Sequence, residues 1–482
     1  MSATPATPAR PAIPRELLAG LVTALALIPE TISFSIVAGV DPRVGLLSSF
    51  TFSVVIAVAG GRPAMVSAAA GSMALVVVPL VREHGPAYLA AATVMAGAFQ
   101  LLLSQLGAPK LLSSLPRGVA IGFVNGLAIL IFLAQLRHVI STTVFVLVVV
   151  GVALMAVARI RSVRVPPSLL STALLTALAV AFSLGVPTVG DEGTLPHGLP
   201  AFALPHLPDL AHALVVILPY AVSLAVVGLI ESLLTADLID RLTATSTSRK
   251  REAAGQGLAN IATGFFGGQP GCAMIGQSLL NVDTGGRGRV STLAAGAWLL
   301  VLVVALHPLM EILPMAALVA TMVFVAFTTF DWRSVSPARL RHWPRIETAT
   351  MVLTTAVVVA TSNLAYGVAA GAIVACAYFF QAFRRGRVLV TRRPAPEGDL
   401  DVHHVHGALF FASTGHLLDV FEDAGGTGAL RIDLSAAELL DTSAVLALDE
   451  LTQRHRAAGR EVDVVGLSAS SEALDSRVRS GV

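Results

Sequence analysis

The sequence is short of charge. Only 13% of its 482 residues are Asp, Glu, Lys or Arg, where a soluble globular chain carries roughly 25%. A net charge of +2 gives no electrostatic footprint for nucleic acid. The two cysteines, Cys272 and Cys376, are too few for a disulfide framework; both lie in apolar stretches and read as small packing residues. Residues 1–14 are polar and Pro/Ala-rich. The first apolar run, 17–40, is too long for the core of a cleaved signal peptide and shows no cleavage site, so it is expected to stay as a span. The sequence shows no metal-ligand spacing, catalytic triad or phosphate loop. It therefore reads as a non-enzyme with no bound cofactor or metal.

What the chain does have is apolar length. Hydrophobic residues make up 55% of it and its mean hydropathy is +0.78. Fourteen apolar segments lie near 17–38, 44–60, 68–81, 87–106, 118–136, 142–157, 167–185, 211–231, 254–267, 272–282, 291–306, 312–328, 346–361 and 364–382. Several approach the ~20 residues that cross a bilayer. Backbone in lipid must satisfy its own hydrogen bonds, so helices are expected.

The basic residues test this count. With the N-terminus inside, the inside breaks carry Arg10, Arg15, Arg62, Lys110, Arg117, Arg159, Arg161, Arg164, Arg241, Arg249, Lys250, Arg251, Arg287, Arg289, Arg333, Arg339, Arg341 and Arg345, eighteen in all. The outside breaks carry three, Arg43, Arg82 and Arg137, and the longest of them, 186–210, carries none. This bias places both termini in the cytoplasm, in a plasma (inner) membrane. Fourteen divides as seven plus seven, and an odd-numbered repeat inserts its copies with opposite topology. The expected domains are a tail (1–14), a membrane domain (15–383, with repeats about 15–186 and 209–383), a linker (384–400) and a small α/β domain (401–482).

Two segments in matching places, the third and tenth, are poor full spans. The tenth, 272–282, is about 16 Å of helix against a hydrocarbon core ~30 Å thick, and Gly267, Gly268, Pro270 and Gly271 precede it. The third opens on small residues and turns apolar only from Ala74. Each reads as an extended stretch leading into a half-helix. Such helix ends carry a partial charge of about +0.5 and form an anion site without basic side chains. No Lys or Arg lies well inside any apolar segment. Close helix packing through small residues is the alternative reading.

Glu30 follows Pro29 deep in the first span, and Phe34 lies four residues on, on the same face. An ionisable group at that depth marks a functional site by default. The expected role is a proton-accepting carboxylate beside a bound anion, the basis of symport; a neutral structural glutamate is the alternative. Glu231, near the expected end of the eighth span, pairs with Thr235 at i, i+4. The two read as a proton or Na⁺ site, or as interhelical hydrogen bonding. Asp237 and Asp240 read as solvated.

Beyond residue 384 the charge density becomes ordinary. Strands near 402–411, 429–434 and 462–466 alternate with helices near 415–422 and 443–457, an α/β pattern.

Four membrane stretches carry a resemblance: "AGLVTALALIPETISFSIVAGVDPRVGL" (19–46), "GLIESLLTADLID" (228–240), "GQGLANIATGFFGGQPGCAMIGQS" (255–278) and "TGGRGR" (284–289). A fifth, "IDLSAAELLDTSAVLALDEL" (432–451), looks like a STAS domain. Together they are similar to the sulfate permease (SulP) family. The resemblance implies a seven-plus-seven inverted repeat with core and gate domains, usually a homodimer, moving inorganic anions or carboxylates with H⁺, Na⁺ or exchange coupling. It places the substrate at Glu30, Phe34, Gly71, Ser72, Met73, Met274, Ile275, Gly276 and Gln277. Gln277 stands where several relatives have Arg, and Glu30 where Gln is frequent, which favours proton coupling. Relatives that use Na⁺ have an acid and a Thr at the positions of Glu231 and Thr235. STAS proteins are phosphorylated at the serine matching Ser443; the alternative is that Ser443 caps its helix. The domain is a candidate docking place for a cytoplasmic regulator. The expected function is proton-coupled symport of a C4-dicarboxylate such as fumarate, or of sulfate or bicarbonate. The competing expectations are Na⁺-coupled bicarbonate symport, nucleobase–proton symport, and a membrane sensor without transport.

Overall fold

The structure is a computed structural model of the chain. It describes residues 13–112, 115–163, 165–192, 202, 204, 207, 209–243, 245–305, 307–337, 340, 343–380, 388–394, 400–422, 429–457 and 459–480. Most of the tail 1–14, Arg164, most of the break 186–210, Arg339, Arg341 and the basic break at Arg384, Arg385 and Arg387 lie outside the described residues.

Among the described residues, fourteen helices of nine residues or more precede the C-terminal domain. The first seven are α1 (Ile13–Ala38), α2 (Pro42–Ala59), α3 (Gly71–His84), α4 (Pro86–Gln105), α5 (Arg117–Leu136), α6 (Thr142–Ile160) and α7 (Pro167–Ala181). The second seven are α8 (Leu210–Thr243), α9 (Arg249–Phe265), α10 (Ile275–Asp283), α11 (Arg289–Ala305), α12 (Met315–Thr329), α13 (Arg345–Thr361) and α14 (Leu364–Tyr378). Six of them, α1, α2, α4, α5, α6 and α8, are long and apolar enough to cross a bilayer unaided. A short strand precedes the third helix of each half: β1 (Ser67–Ala69) before α3, and β2 (Gly271–Ala273) before α10. The two strands pair antiparallel, Ser67 opposite Ala273 and Ala69 opposite Gly271, as copies inserted with opposite topology would.

The bundle closes through small residues. A side chain on Gly97 would strike the Gly257 carbonyl at 2.5 Å, and one on Gly20 would strike Ala294 at 2.6 Å. So α4 meets α9, and α1 meets α11, at backbone distance. Helix α6 turns Phe145, Val146 and Val149 outward, an exterior suited to hydrocarbon rather than water.

The eighth helix corrects the expectation drawn at 211–231. It runs 34 residues, to Thr243, so Glu231 is interior to it and not near its end. The polar residues past Glu231 are tied down, which keeps that stretch helical. Asp240 pairs with Arg62 at 3.3 Å and Asp237 with Arg249 at 3.1 Å. Neither aspartate is simply solvated.

Contacts divide the chain into two compact units. The first is Met1–Leu112, Leu127–Thr329 and Ser362–Ala365; the second is Ser113–Gly126, Phe330–Thr361 and Tyr366–Val482. The second contains a four-stranded sheet ordered β3 (Leu389–Pro394), β4 (Leu400–Leu409), β5 (Ala429–Leu439), β6 (Val462–Val465), with β3 antiparallel and the others parallel. Helices α15 (Phe411–Glu422), α16 (Thr442–Ala457) and α17 (Ala469–Ser480) complete it. Val405, Leu430, Ile432, Leu448, Phe421 and Val478 fill its core. Strand β3 falls inside the stretch expected as linker; its short apolar run, next to an arginine-rich break, is weak sequence signal. Helix α17 was also unmarked, because it buries little beyond Leu474 and Val478.

Ser443 does not cap α16. Asp441 does: its Oδ1 accepts the Ala444 N–H at 2.9 Å and its Oδ2 the Phe411 N–H at 2.8 Å. Ser443 sits half-buried in the first turn. The neighbouring Thr442 N–H donates to Glu347 Oε1, in the first turn of α13, at 2.7 Å. Burial pushes the Asp441 carboxyl up to about 7, opposed by the Ala444 N–H and reinforced by the Glu347 charge. An acid whose folded value lies above its unfolded value is most stabilising when protonated. That stabilisation falls as pH rises from about 4 to about 7, and is flat beyond. The full chain is expected to lose on the order of 2–4 kcal/mol across this window, a loss that Asp441→Asn flattens. Melting curves of both proteins against pH check this; identical slopes would count against it.

Candidate functional site

The site grows from the two strands. Gly, Ala, Ser and one Cys at 67–71 and 271–273 leave little bulk between the paired backbones, so the ribbon fits inside a helical bundle. Irregular backbone at this depth must find partners in protein, and here the helices supply them. From α2, the Ser53 hydroxyl donates to the Ser67 carbonyl (2.9 Å), and Ser49 Oγ accepts the Ala69 N–H (3.2 Å). Ser232 of α8 accepts the Ala273 N–H at 3.1 Å. Asn260 of α9 grips Gly271 twice, accepting its N–H at 3.0 Å and donating to its carbonyl at 3.2 Å. The same amide donates to Gln100 of α4 at 2.9 Å. Ser278 and Asn281 of α10 hold the backbone at Val66 and Ala64.

From this ribbon α3 and α10 set out. They are 14 and 9 residues long, about 21 and 14 Å, and neither crosses a ~30 Å core alone. Their preceding residues, Ala70 and Met274, are apolar and offer no side-chain cap. The opening N–H groups of both helices are therefore left for another acceptor, with a partial positive charge at each end.

The first helix of each half reaches these ends crosswise. Glu30 of α1, buried, is hydrogen-bonded to the side chain of Gln277 in the first turn of α10. One turn on, the Phe34 ring covers Gly71 at the start of α3, where an added Cβ would lie 2.6 Å from ring carbon Cε1. Glu231 of α8 accepts a hydrogen bond from Ser72 of α3, and one from the Cys272 thiol of β2 at 3.1 Å. Gly276 is exposed, and a Cβ there meets nothing within 4 Å. Open space thus adjoins the N-terminus of α10.

Several other sequence-selected residues make contacts of a different kind. Met73 is fully buried, its terminal methyl against Gly228. Met274 is buried, and its N–H extends the strand pairing to the Val66 carbonyl at 2.9 Å. Ile275 is half-buried in the first turn of α10. Thr235 does not share its hydroxyl with the Glu231 carboxylate; it donates to the Glu231 backbone carbonyl at 2.8 Å. Cys272 is no mere packing residue, since it holds Glu231. Asn260 was missed altogether: a buried amide on a helix that also carries Gln256 and a charged first turn has no periodic signature, and its partner eleven residues on is placed only by the turn between α9 and β2.

The comparisons with known proteins fit this architecture. Residues 13–181 and 137–354 match the sulfate permease family, and residues 396–476 a STAS domain. The chain is 42% identical over 464 residues to YbaR of Bacillus subtilis, a protein named as a candidate sulfate transporter; the alignment covers 96% of each. It is 25% identical to the bicarbonate transporter BicA of Synechocystis, across 95% of this chain and 89% of that one. Among solved structures, the transmembrane domain of a cyanobacterial BicA matches with TM-score 0.66 at 23% identity, over 74% of this chain and 97% of that one. The murine anion transporter Slc26a9, in its inward-facing state, matches with TM-score 0.67 at 17% identity, over 96% and 87%. The protein is a multi-pass membrane transporter, not an enzyme. It belongs to the sulfate permease family and ends in a STAS domain.

Proposed function

We propose that this chain is a proton-coupled anion importer of the inner membrane, with both termini in the cytoplasm, working as a homodimer by alternating access. The observation that carries this is the pair of uncapped half-helix ends, which provide positive potential without a basic side chain. Phe34, Gly71, Ser72, Gly276 and Gln277 line the anion's place. Ile275, Met274 and Met73 shape it from behind. Glu30 takes the proton: neutral, it leaves the anion beside Gln277 unopposed; ionised, it repels it. The substrate is a small anion. The names of the relatives support sulfate or bicarbonate, and the same site suits a C4-dicarboxylate such as fumarate. The nucleobase reading is set aside by family membership.

For Glu231, the Cys272 thiol at 3.1 Å supports a proton over Na⁺, because a hard cation seeks oxygen ligands, and Thr235 is turned to its own backbone. The STAS domain remains the candidate place for a cytoplasmic regulator, with Ser443 the candidate for modification. The experiment is uptake of labelled sulfate, bicarbonate and fumarate by the purified protein in liposomes under imposed H⁺ or Na⁺ gradients. Accumulation driven by an inward H⁺ gradient is expected. Accumulation driven by Na⁺ alone would overturn proton coupling, and no uptake under any gradient would favour the sensor.

A further inference from the structure

The crosswise contacts of Glu30 and Glu231 are equivalent by position. Each comes from the first helix of its half, and each touches the opening of the opposite half's third helix: Glu30 at Gln277, Glu231 at Ser72. Glu30 lies 17 residues into α1 and Glu231 21 residues into α8 (30 − 13 and 231 − 210). The groups acting on them are the Gln277 amide for Glu30, and the Ser72 hydroxyl and Cys272 thiol for Glu231. Among the described residues no cation faces either carboxylate from α1, α3, α8, α10 or the ribbon, and Cys272 is the one other titratable group in contact.

Charge counting then sets a condition. Two helix ends supply about +1 between them. Two ionised carboxylates would cancel this and leave −1 before any substrate arrives. A divalent anion entering such a site would meet net repulsion at low dielectric, where opposing charges weigh most. With both carboxylates neutral, the same anion meets the helix ends, the Ser72 hydroxyl and the Gln277 amide.

We propose that each divalent anion is carried with two protons, one on Glu30 and one on Glu231, so that the transported unit is neutral. The two protons are taken up from the outer solution and released to the cytoplasm with the anion, and no net charge crosses. This rests on the anion-symport reading above, but it can fail separately.

The test uses the full chain in liposomes with labelled sulfate, an inward H⁺ gradient of one pH unit, and membrane potential clamped with K⁺ and valinomycin. Two protons per sulfate predict accumulation of about 100-fold, tenfold per proton per pH unit, unchanged by the potential. Glu30→Gln and Glu231→Gln should each lower it to about 10-fold and make it opposed by an inside-negative potential, since one negative charge then enters uncompensated. Wild-type accumulation near 10-fold that responds to potential would overturn the inference while leaving proton symport intact. So would a protein that moves only monovalent anions, or single variants that keep the wild-type ratio. The wild-type ratio decides the matter even where a variant fails to fold. No uptake of any anion would remove the symport reading itself, and this inference with it.

Discussion

Gly276→Trp is expected to lower anion uptake at least 100-fold while leaving the melting temperature of the purified protein within a few degrees of wild type. The position is exposed, and the place of its Cβ is open for 4 Å around, so nothing in the bundle must shift to admit a side chain. The same openness adjoins the first N–H groups of α10. An indole there excludes the ligand and blocks the dipole end. Steric exclusion of a site abolishes the whole binding free energy, so the effect should exceed that of removing any single hydrogen bond, about 1 kcal/mol. Binding measured by calorimetry, alongside a thermal melt, separates loss of the site from loss of the fold. Wild-type affinity in this variant would mean that the anion does not bind at the half-helix ends.

Asn260→Leu should have the opposite signature: a protein that fails to fold or melts far lower. Leucine leaves the Gly271 N–H, the Gly271 carbonyl and the Gln100 carbonyl without the partner they have now. Each buried group stripped of its partner costs about 1–3 kcal/mol, roughly 3–9 in sum, against typical stabilities of about 5–15 kcal/mol. Yield on size exclusion and the thermal midpoint are the readouts, and Asn260→Asp, which keeps only the acceptor to Gly271, should fall between. A leucine variant as stable as wild type would show that the ribbon does not depend on this clamp.

The contrast between these two positions shows what was legible in the sequence. Breaks such as Gly267, Gly268, Pro270 and Gly271 announce an interrupted helix, because backbone freedom is written in residue type. The two half-helices and the lone acid Glu30 could be read that way. The true length of α8 could not, because hydropathy stops at Asp237 and Asp240 and says nothing of Arg249 and Arg62, which pair with them. Cap identity at Asp441 against Ser443 turned on a shift of two residues. Asn260 and Cys272 were invisible for a different reason: their importance lies in what the chain brings opposite them, and neither spacing nor composition carries that.

The ribbon has one further consequence. Its paired residues are bolted to α2, α8 and α9 by separate hydrogen bonds, and Ser278 of α10 holds the adjoining Val66, so no one of these helices can slide without tearing a bond to the cradle between them. The seat proposed for the anion is thus stiff, and its shape should be the same whichever side of the bilayer it faces. Selectivity would then be decided once, at loading, and the passenger released by a change in its surroundings, with the cradle itself left undeformed.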